Sequence, residues 1–308
     1  MKKYKCLVLM SGGLDSMLAL KIIEENNVKA VPICFKSFFF NSEQAEKSAK
    51  ILGAKLRVVD IGKEHLKMVK NPKNGRGKGF NPCIDCHLLM IKIAGKIMKK
   101  EGFDFLVTGD VLGQRPMSQN LNALQKIDKA SGLSGLIVRP LSAKLLPMTI
   151  PEEKGMINKL YSISGRSRAK QMELARKFKI KEYPSPGGGC ILTDINYSTN
   201  LNKLLKTKPT FSDNDSNILK MGRVFWEKDI LIIVARNEKE CKELTKLRKR
   251  NDIALEPNNF SGPTVLVRRY KKSSREEMIN LGMEYLLNYT KDDREDLVIR
   301  LLPSPKSL

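Results

Sequence analysis

The sequence predicts an α/β chain, a parallel sheet flanked by helices, followed by a small α+β domain. Three observations carry this. Strand-like apolar runs alternate with helical patterns over the first 180 residues, as parallel strands joined by helical crossovers do. A glycine stretch, SGGLDS (Ser11–Ser16), stands between the first such run and the first helix. Beyond residue 195 the composition turns polar, and a second set of short strands and helices begins.

The first strand is YKCLVLM (4–10), which stops at the glycines, and the pattern after them predicts a helix over 15–26. KAVPICF (29–35), KLRVVDI (55–61), FDFLVTG (103–109) and LIVRPL (136–141) are the further strands. Helices are expected at 42–52, 84–100 and 119–130, with a basic one, RSRAKQMELARKFKI, at 166–180. In open parallel sheets, ligands sit beyond the carboxyl ends of the strands. SGGLDS and TGD (Thr108–Asp110) occupy two such ends and are expected to face one pocket. Residues 196–217 are polar and turn-rich and read as a linker. It divides a domain at 1–200 from one at 205–308. The second is expected to hold strands MGRVFW and ILIIVAR, a helix at 237–250, strand VLVRRY (265–270), a helix at 274–288 and strand DLVIRLL (296–302).

Charge narrows the partners. The 308 residues hold 56 Lys and Arg against 33 Asp and Glu, a formal net of +23. Residues 1–200 contribute 34 basic and 17 acidic side chains, and the remainder 22 and 16, so the excess is not a detachable tail. A polyanion is the natural partner, since phosphate contacts supply most nonspecific nucleic-acid affinity. No apolar run reaches the length of a membrane span. The residues before the glycine loop are too few for a signal sequence. A cytoplasmic location, with no membrane partner, is expected.

The glycine loop is suited to phosphate. Gly12 and Gly13 allow close backbone approach, Ser11 and Ser16 offer hydroxyls, and the helix start offers N–H groups. Asp15 is placed to orient Mg²⁺ or the loop itself. No lysine follows the glycines, which excludes the P-loop of kinases and GTPases. Among the six cysteines, Cys6 and Cys34 lie in apolar strand runs and read as core thiols, and Cys241 as incidental. Cys83 and Cys86 form a CxxC at the start of a helix, where N–H groups stabilise thiolates. Cys190 follows three glycines a hundred residues later. His87 is a poor fourth ligand, because adjacent helical residues point about 100° apart. Three thiolates suit a 4Fe-4S cluster with one iron left without a protein ligand. A zinc ion with a nonprotein fourth ligand, or a metal-free pair of reactive thiols, are the alternatives.

The full SGGxDS resembles the PP-loop of the adenine nucleotide α-hydrolase-like ATP pyrophosphatases, a Rossmann-like family that cleaves ATP between its α- and β-phosphates. That implies ATP binding at Ser11, Gly12, Gly13, Asp15, Ser16, Gly109 and Asp110, with Mg²⁺. NPCIDC, TGD, SISGRSR and GGGCILTD resemble the thiolation branch of that superfamily, the tRNA 2-thiouridylases and the catalytic domain of tRNA 4-thiouridine synthetases. The resemblance covers roughly residues 1–200. It implies adenylation of a uridine carbonyl and replacement of its oxygen by sulfur, with sulfide or a persulfide carrier as donor. In the 2-thiouridylases, cysteines at the positions of Cys86 and Cys190 act through a persulfide. In the iron–sulfur thiolases, three cysteines, here Cys83, Cys86 and Cys190, hold the cluster. Asp15, Cys86 and Cys190 are the catalytic candidates. A PP-loop ligase acting on a small molecule and a nonenzymatic RNA-binding protein are the competing classes.

GRVFWEKDILIIVARNEKECKEL (222–244) with SGPTVLVRR (261–269) resembles the RNA-binding domain of NFACT proteins. RNA, with tRNA implied by the first domain, is the expected partner. Arg166 and Arg168 at the basic helix, and Lys249, Arg250, Arg268 and Arg269 in the second domain, are the candidate phosphate contacts. Arg115 and Arg139 are candidates for the nucleotide phosphates or for ordinary salt bridges. A packing module, as in a homodimer, is the alternative for the second domain.

Overall fold

Five predicted strands of the first half pair side by side in a computed structural model that describes residues 4–185, 190–259, 261–290 and 298–303. They are β1 (Lys5–Leu9), β2 (Lys29–Lys36), β3 (Arg57–Asp60), β4 (Phe105–Thr108) and β5 (Ile137–Val138). The sheet order is β3-β2-β1-β4-β5 and every pairing is parallel. The helices are α1 (Leu14–Glu25), α2 (Glu43–Ile51), α3 (Gly62–Lys70), α4 (Cys83–Glu101), α5 (Leu121–Ser131), the single turn α6 (Ile150–Glu153) and α7 (Ala169–Lys177).

The sheet is buried on both faces. Cys6, Val8, Phe105 and Val107 face a core built with α1 and α7, whose contributors include Met17, Leu18, Ile22, Leu174 and Ala175. Leu7 and Leu106 point the other way, into a core with Ile91, Ala94 and Met98 of α4 and Ile127 of α5. That alternation is the period of two that any strand imposes. Each such fully buried large side chain stabilises the fold by roughly 1.5–3 kcal/mol. Burial also makes Cys6 and Cys34 inert: desolvation pushes both thiols upward, Cys34 to about 11. The order of the strands reverses between β1 and β4, so the crevice beyond their carboxyl ends is the topological switch point.

The chain separates into two compact units, Met1–Thr193 and Asp194–Leu308. The expected linker is not one. Residues 196–217 hold most of α8 (Ile195–Thr207) and α9 (Asp213–Ile218). Asp194 caps α8 by accepting from the Tyr197 N–H, and Leu201 and Leu204 are fully buried. Ser212 and Asp215 close a reciprocal capping box on α9. Capping and spaced leucines outweigh the polar composition.

The second unit continues with β6 (Arg223–Glu227), β7 (Ile230–Val234), α10 (Glu238–Lys246), β8 (Ile253–Pro257), β9 (Val265–Arg269), α11 (Arg275–Tyr289) and β10 (Ile299–Leu301). Its sheet, ordered β10-β8-β9-β7-β6, is antiparallel throughout. Ile230, Ile232, Val265, Val267 and Leu255 face α11, which contributes Met278 and Leu286. Among the described residues no helix is long and apolar enough to cross a membrane.

Candidate active site

The nucleotide loop leaves β1 and enters α1 with Gly13 as its N-cap, in extended conformation. The Ser16 hydroxyl donates to the Gly13 carbonyl at 2.8 Å. Ser11 stays exposed, and its Oγ accepts from the Gly13 N–H at 3.4 Å. Gly12 has φ +84°, and a Cβ there would sit 2.5 Å from the Gln44 backbone. The loop is therefore pressed onto α2, where Ser48 donates to the Gly12 carbonyl at 2.7 Å. Gly109 is required by space as well. A Cβ on it would lie 2.7–2.8 Å from the backbone of Asp15 and Ser16, so the end of β4 closes directly on the first turn of α1. The first turn of α1 thus starts at the switch point, where a helix N-terminus favours an anion.

Asp15 accepts from the Gln114 amide at 2.9 Å through one oxygen, while its other oxygen is buried without a partner. Burial pushes its carboxyl above the ordinary range, opposed by Gln114, Arg168, Gln171 and Arg115. Gln171, fully buried on α7, lies beside Asp15, and neither polar atom of its amide is fully bonded. Gly165 donates to the Leu112 carbonyl at 2.8 Å, and Leu112 bridges to Ser164. This docks the SISGRSR stretch beside the Gln114–Arg115 loop. Arg168 is thereby drawn toward Asp15 and over the Tyr183 ring, at 5.9 Å. Its charge therefore bears on Asp15, a role the sequence did not announce. Arg166 remains exposed.

Asp110 and Arg139 brace the pocket from inside. Asp110 accepts from Thr108 at 2.7 Å and from Gln119 at 3.0 Å, with the Arg139 Nε 3.6 Å away. Burial alone would raise its pKa, but the charges of His87 and Arg139 and these two donors hold it below the usual carboxylate range. Arg139 is buried in a bidentate pair with Asp128, at 2.9 and 2.7 Å. Both side chains are thus engaged within the protein and fix the loop after β4.

The thiols meet at the start of α4. Asp85 accepts from the backbone and side-chain amides of Asn74, at 2.8 and 2.9 Å, which anchors the 71–80 loop there. Arg76 donates to the carbonyls of Val69 and Lys70 at the end of α3 and stacks on Phe80, 4.3 Å from the ring centroid. The Phe80 N–H donates to the Leu192 carbonyl at 2.8 Å, tying the segment after Cys190 to the segment before Cys83. Cys190 in turn is held by Thr193, whose N–H and hydroxyl donate to its carbonyl at 2.7 and 2.6 Å. The glycines at 187–189, expected beside this helix, lie outside the described residues.

Burial pushes the Cys86 thiol well above its ordinary value, and the neighbouring sulfurs of Cys190 and Cys83 and the Asp85 carboxylate push it further. Cys83 and Cys190 both lie within electrostatic reach of Cys86. Among the described residues no group of three His, Cys, Asp or Glu side chains is drawn tightly enough for one metal ion.

Two side chains join this site in ways the sequence did not announce. His65, on α3, is fully buried, and its Nε2 is 3.2 Å from the Cys86 sulfur. The helix at 62–70 was not among the expected elements, and a histidine in it carries no motif. His87 donates from Nδ1 to the Cys83 carbonyl at 2.9 Å, while its ring is close enough to Asp110 to lower that carboxyl.

In the second unit Arg268 is 2% exposed. Its guanidinium donates to Asp252, Asp215, Asn214 and the Leu247 carbonyl, at 2.7–3.2 Å. It is a buried structural ion, not the expected phosphate contact. Lys249 is half-buried and donates to Asp215 at 2.6 Å, so it too is engaged internally. Arg269 is exposed with its guanidinium on the Ser273 carbonyl, and Arg250 is exposed in the turn after α10.

The fold is an α/β unit on a parallel five-stranded sheet, with SGGLDS at its switch point, joined to an antiparallel α+β unit. Residues 2–144 match the family described as thiamine biosynthesis protein (ThiI), and residues 222–303 match the NFACT protein RNA binding domain. A relative described as a probable tRNA sulfurtransferase, from Thermococcus kodakarensis, is 32% identical over 146 residues, 44% of this chain and 36% of its own length. The chain thus spans about a third of that relative. Among solved structures, a 4-thiouridine synthetase–RNA complex with bound ATP is 20% identical, with a TM-score of 0.38 over 57% of this chain and 52% of its own. The U34-tRNA thiolase NcsA from Methanococcus maripaludis, with its 4Fe-4S cluster, is 17% identical, with a TM-score of 0.33 over 70% of this chain and 69% of its own.

Proposed function

We propose that the chain is an ATP-dependent RNA sulfurtransferase of the cytoplasm, forming a thiouridine in tRNA. One observation carries the reading: the sulfur site and the nucleotide loop abut. His87 bonds the Cys83 carbonyl and faces Asp110, and the loop of Asp110 closes on the first turn of α1. The similarity to relatives described as tRNA sulfurtransferases supports it.

Ser11, Ser16 and the amides of the α1 first turn would hold the phosphates of ATP. Arg115 and Arg168 would take up their charge, and Asp15, with its unpartnered oxygen, would orient Mg²⁺. The uridine carbonyl oxygen attacks the α-phosphorus and pyrophosphate departs. A sulfur nucleophile then adds to the ring carbon, and AMP leaves with the oxygen. Cys83, Cys86 and Cys190 would hold a 4Fe-4S cluster, which when bound would supply the site that takes up and delivers the sulfur. The second unit would hold the RNA through phosphate contacts by residues such as Arg250 and Arg269. The test is the nucleotide product: with tRNA and sulfide present, ATP should yield AMP and pyrophosphate, and the RNA should gain a thiouridine on nucleoside analysis. ADP and phosphate would rule out adenylation.

A further inference from the structure

The chain has two histidines, and both stand at the sulfur site. His87 has its tautomer fixed, because its Nδ1 meets a carbonyl and must donate. His65 is less obvious. Its ring is clamped edge-on by Phe39 and Phe40, with centroids 5.5 and 5.1 Å away, and it is fully buried. Its backbone N–H donates to the Ile61 carbonyl at 2.7 Å, which fixes the start of α3. Nε2 points at the Cys86 sulfur, 3.2 Å away, and Nδ1 is buried with no partner.

A neutral imidazole carries one N–H. Placed on Nδ1, that proton would be a buried donor with no acceptor, and Nε2 would face a thiol, which is a weak donor. Placed on Nε2, it is donated to the sulfur, and only a lone pair at Nδ1 goes unmet. Orphaned buried N–H groups are the rarer of the two. We propose that His65 carries its proton on Nε2 and donates it to Cys86, acting as the positioning residue of that sulfur. The bond fixes the rotamer of Cys86 and favours its sulfur as an acceptor, whether as thiolate, persulfide or cluster ligand. This is what a donor one step removed from a metal or sulfur centre does. The proposal rests on the reading of Cys86 as a sulfur-handling residue.

The tautomer can be read without any activity. In the full chain labelled with ¹⁵N-histidine, two-bond ¹H–¹⁵N correlation gives two imidazole patterns, and His65→Phe identifies one by its loss. His65 should show the Nε2–H pattern, and Cys86→Ala should move its Nε2 resonance. An Nδ1–H pattern, or an Nε2 indifferent to Cys86→Ala, would overturn the proposal. In turnover, His65→Phe, which fills the clamp but donates nothing, should lower thiolation about 10- to 100-fold. His65→Gln, which restores an N–H donor, should recover most of the loss. Full activity in His65→Phe, with Cys86→Ala inactive, would reject the positioning role and spare the reading of Cys86. Full activity in Cys86→Ala would reject that reading, while the NMR pattern still decides the hydrogen bond. Should His65→Phe fail to fold, the wild-type pattern and its response to Cys86→Ala remain decisive.

Discussion

At neutral pH an ionised Asp15 sits where the fold disfavours charge, because burial raises its carboxyl above the ordinary range. The ionised form therefore weighs against the folded state, and that penalty fades as pH falls through the raised value. Asp15→Asn should raise the melting temperature of the nucleotide-free chain at pH 7, more than at pH 4, while lowering ATP turnover on the order of 100-fold. Calorimetry and a pyrophosphate assay read the two separately; a variant less stable and fully active would contradict both. Arg268 poses the opposite case. It sits at 2% exposure against Asp215 and Asp252, and removing it leaves Asp252 buried without a cation and Asp215 with Lys249 and Lys208 in place of three. Arg268→Ala should cost the second unit about 3–5 kcal/mol in urea unfolding. The single tryptophan, Trp226, belongs to that unit and reports its transition by fluorescence. Asp215 is held far below the usual range, burial being overcome by Lys249 and Ser212, so its contribution is complete above the unfolded pKa and lost as pH falls below it. Asp215→Asn should flatten the acid limb of that unit's stability curve.

At the scale of elements, α8 decides where the second unit begins. Asn200 on it accepts from the Trp226 indole at 3.0 Å, Trp226 stacks on Tyr270 with centroids 5.8 Å apart, and Leu201 and Leu204 are buried. A fragment starting at residue 194 should melt cooperatively. One starting at 208 should lose the transition or shift it down by roughly 10 °C or more, since several kcal/mol of apolar burial go with the helix. Equal melting of the two fragments would make α8 dispensable. The sequence misread this stretch because its polar residues, NYSTN and SDNDSN, dominate by count, whereas Asp194 and the leucines determine the structure. The parallel strands were legible for the converse reason: burial on both faces leaves continuous apolar runs such as CLVLM. SGGLDS, TGD and the CxxC stood out through spacing along the chain. His65, the Arg76 cap and the buried Arg268 did not, because each is defined by partners distant in sequence.

For the whole molecule, the net charge of +23 makes the proposed RNA binding a salt-dependent quantity. Affinity should fall linearly on a log–log scale, with about 0.7–0.9 of slope for each phosphate engaged. Residues 201–308 carry 22 basic and 16 acidic side chains, a net of +6. Removing the second unit at residue 193 should weaken RNA binding and make that slope shallower, as fluorescence anisotropy at several salt concentrations would show. An unchanged slope would assign the RNA contacts to the first unit alone. The tie from Phe80 to Leu192 adds a constraint of another kind, one of time. A ribosome extends a chain by about 5–20 residues per second, so Cys190 emerges about 5–20 s after Cys86. Through that interval β4, Gln114 and then α7 with Gln171 are added around the glycine loop, while two thiols wait for a third. The surroundings of Asp15 are thus complete once α7 has been made, but the sulfur site is finished only when Cys190 leaves the exit tunnel.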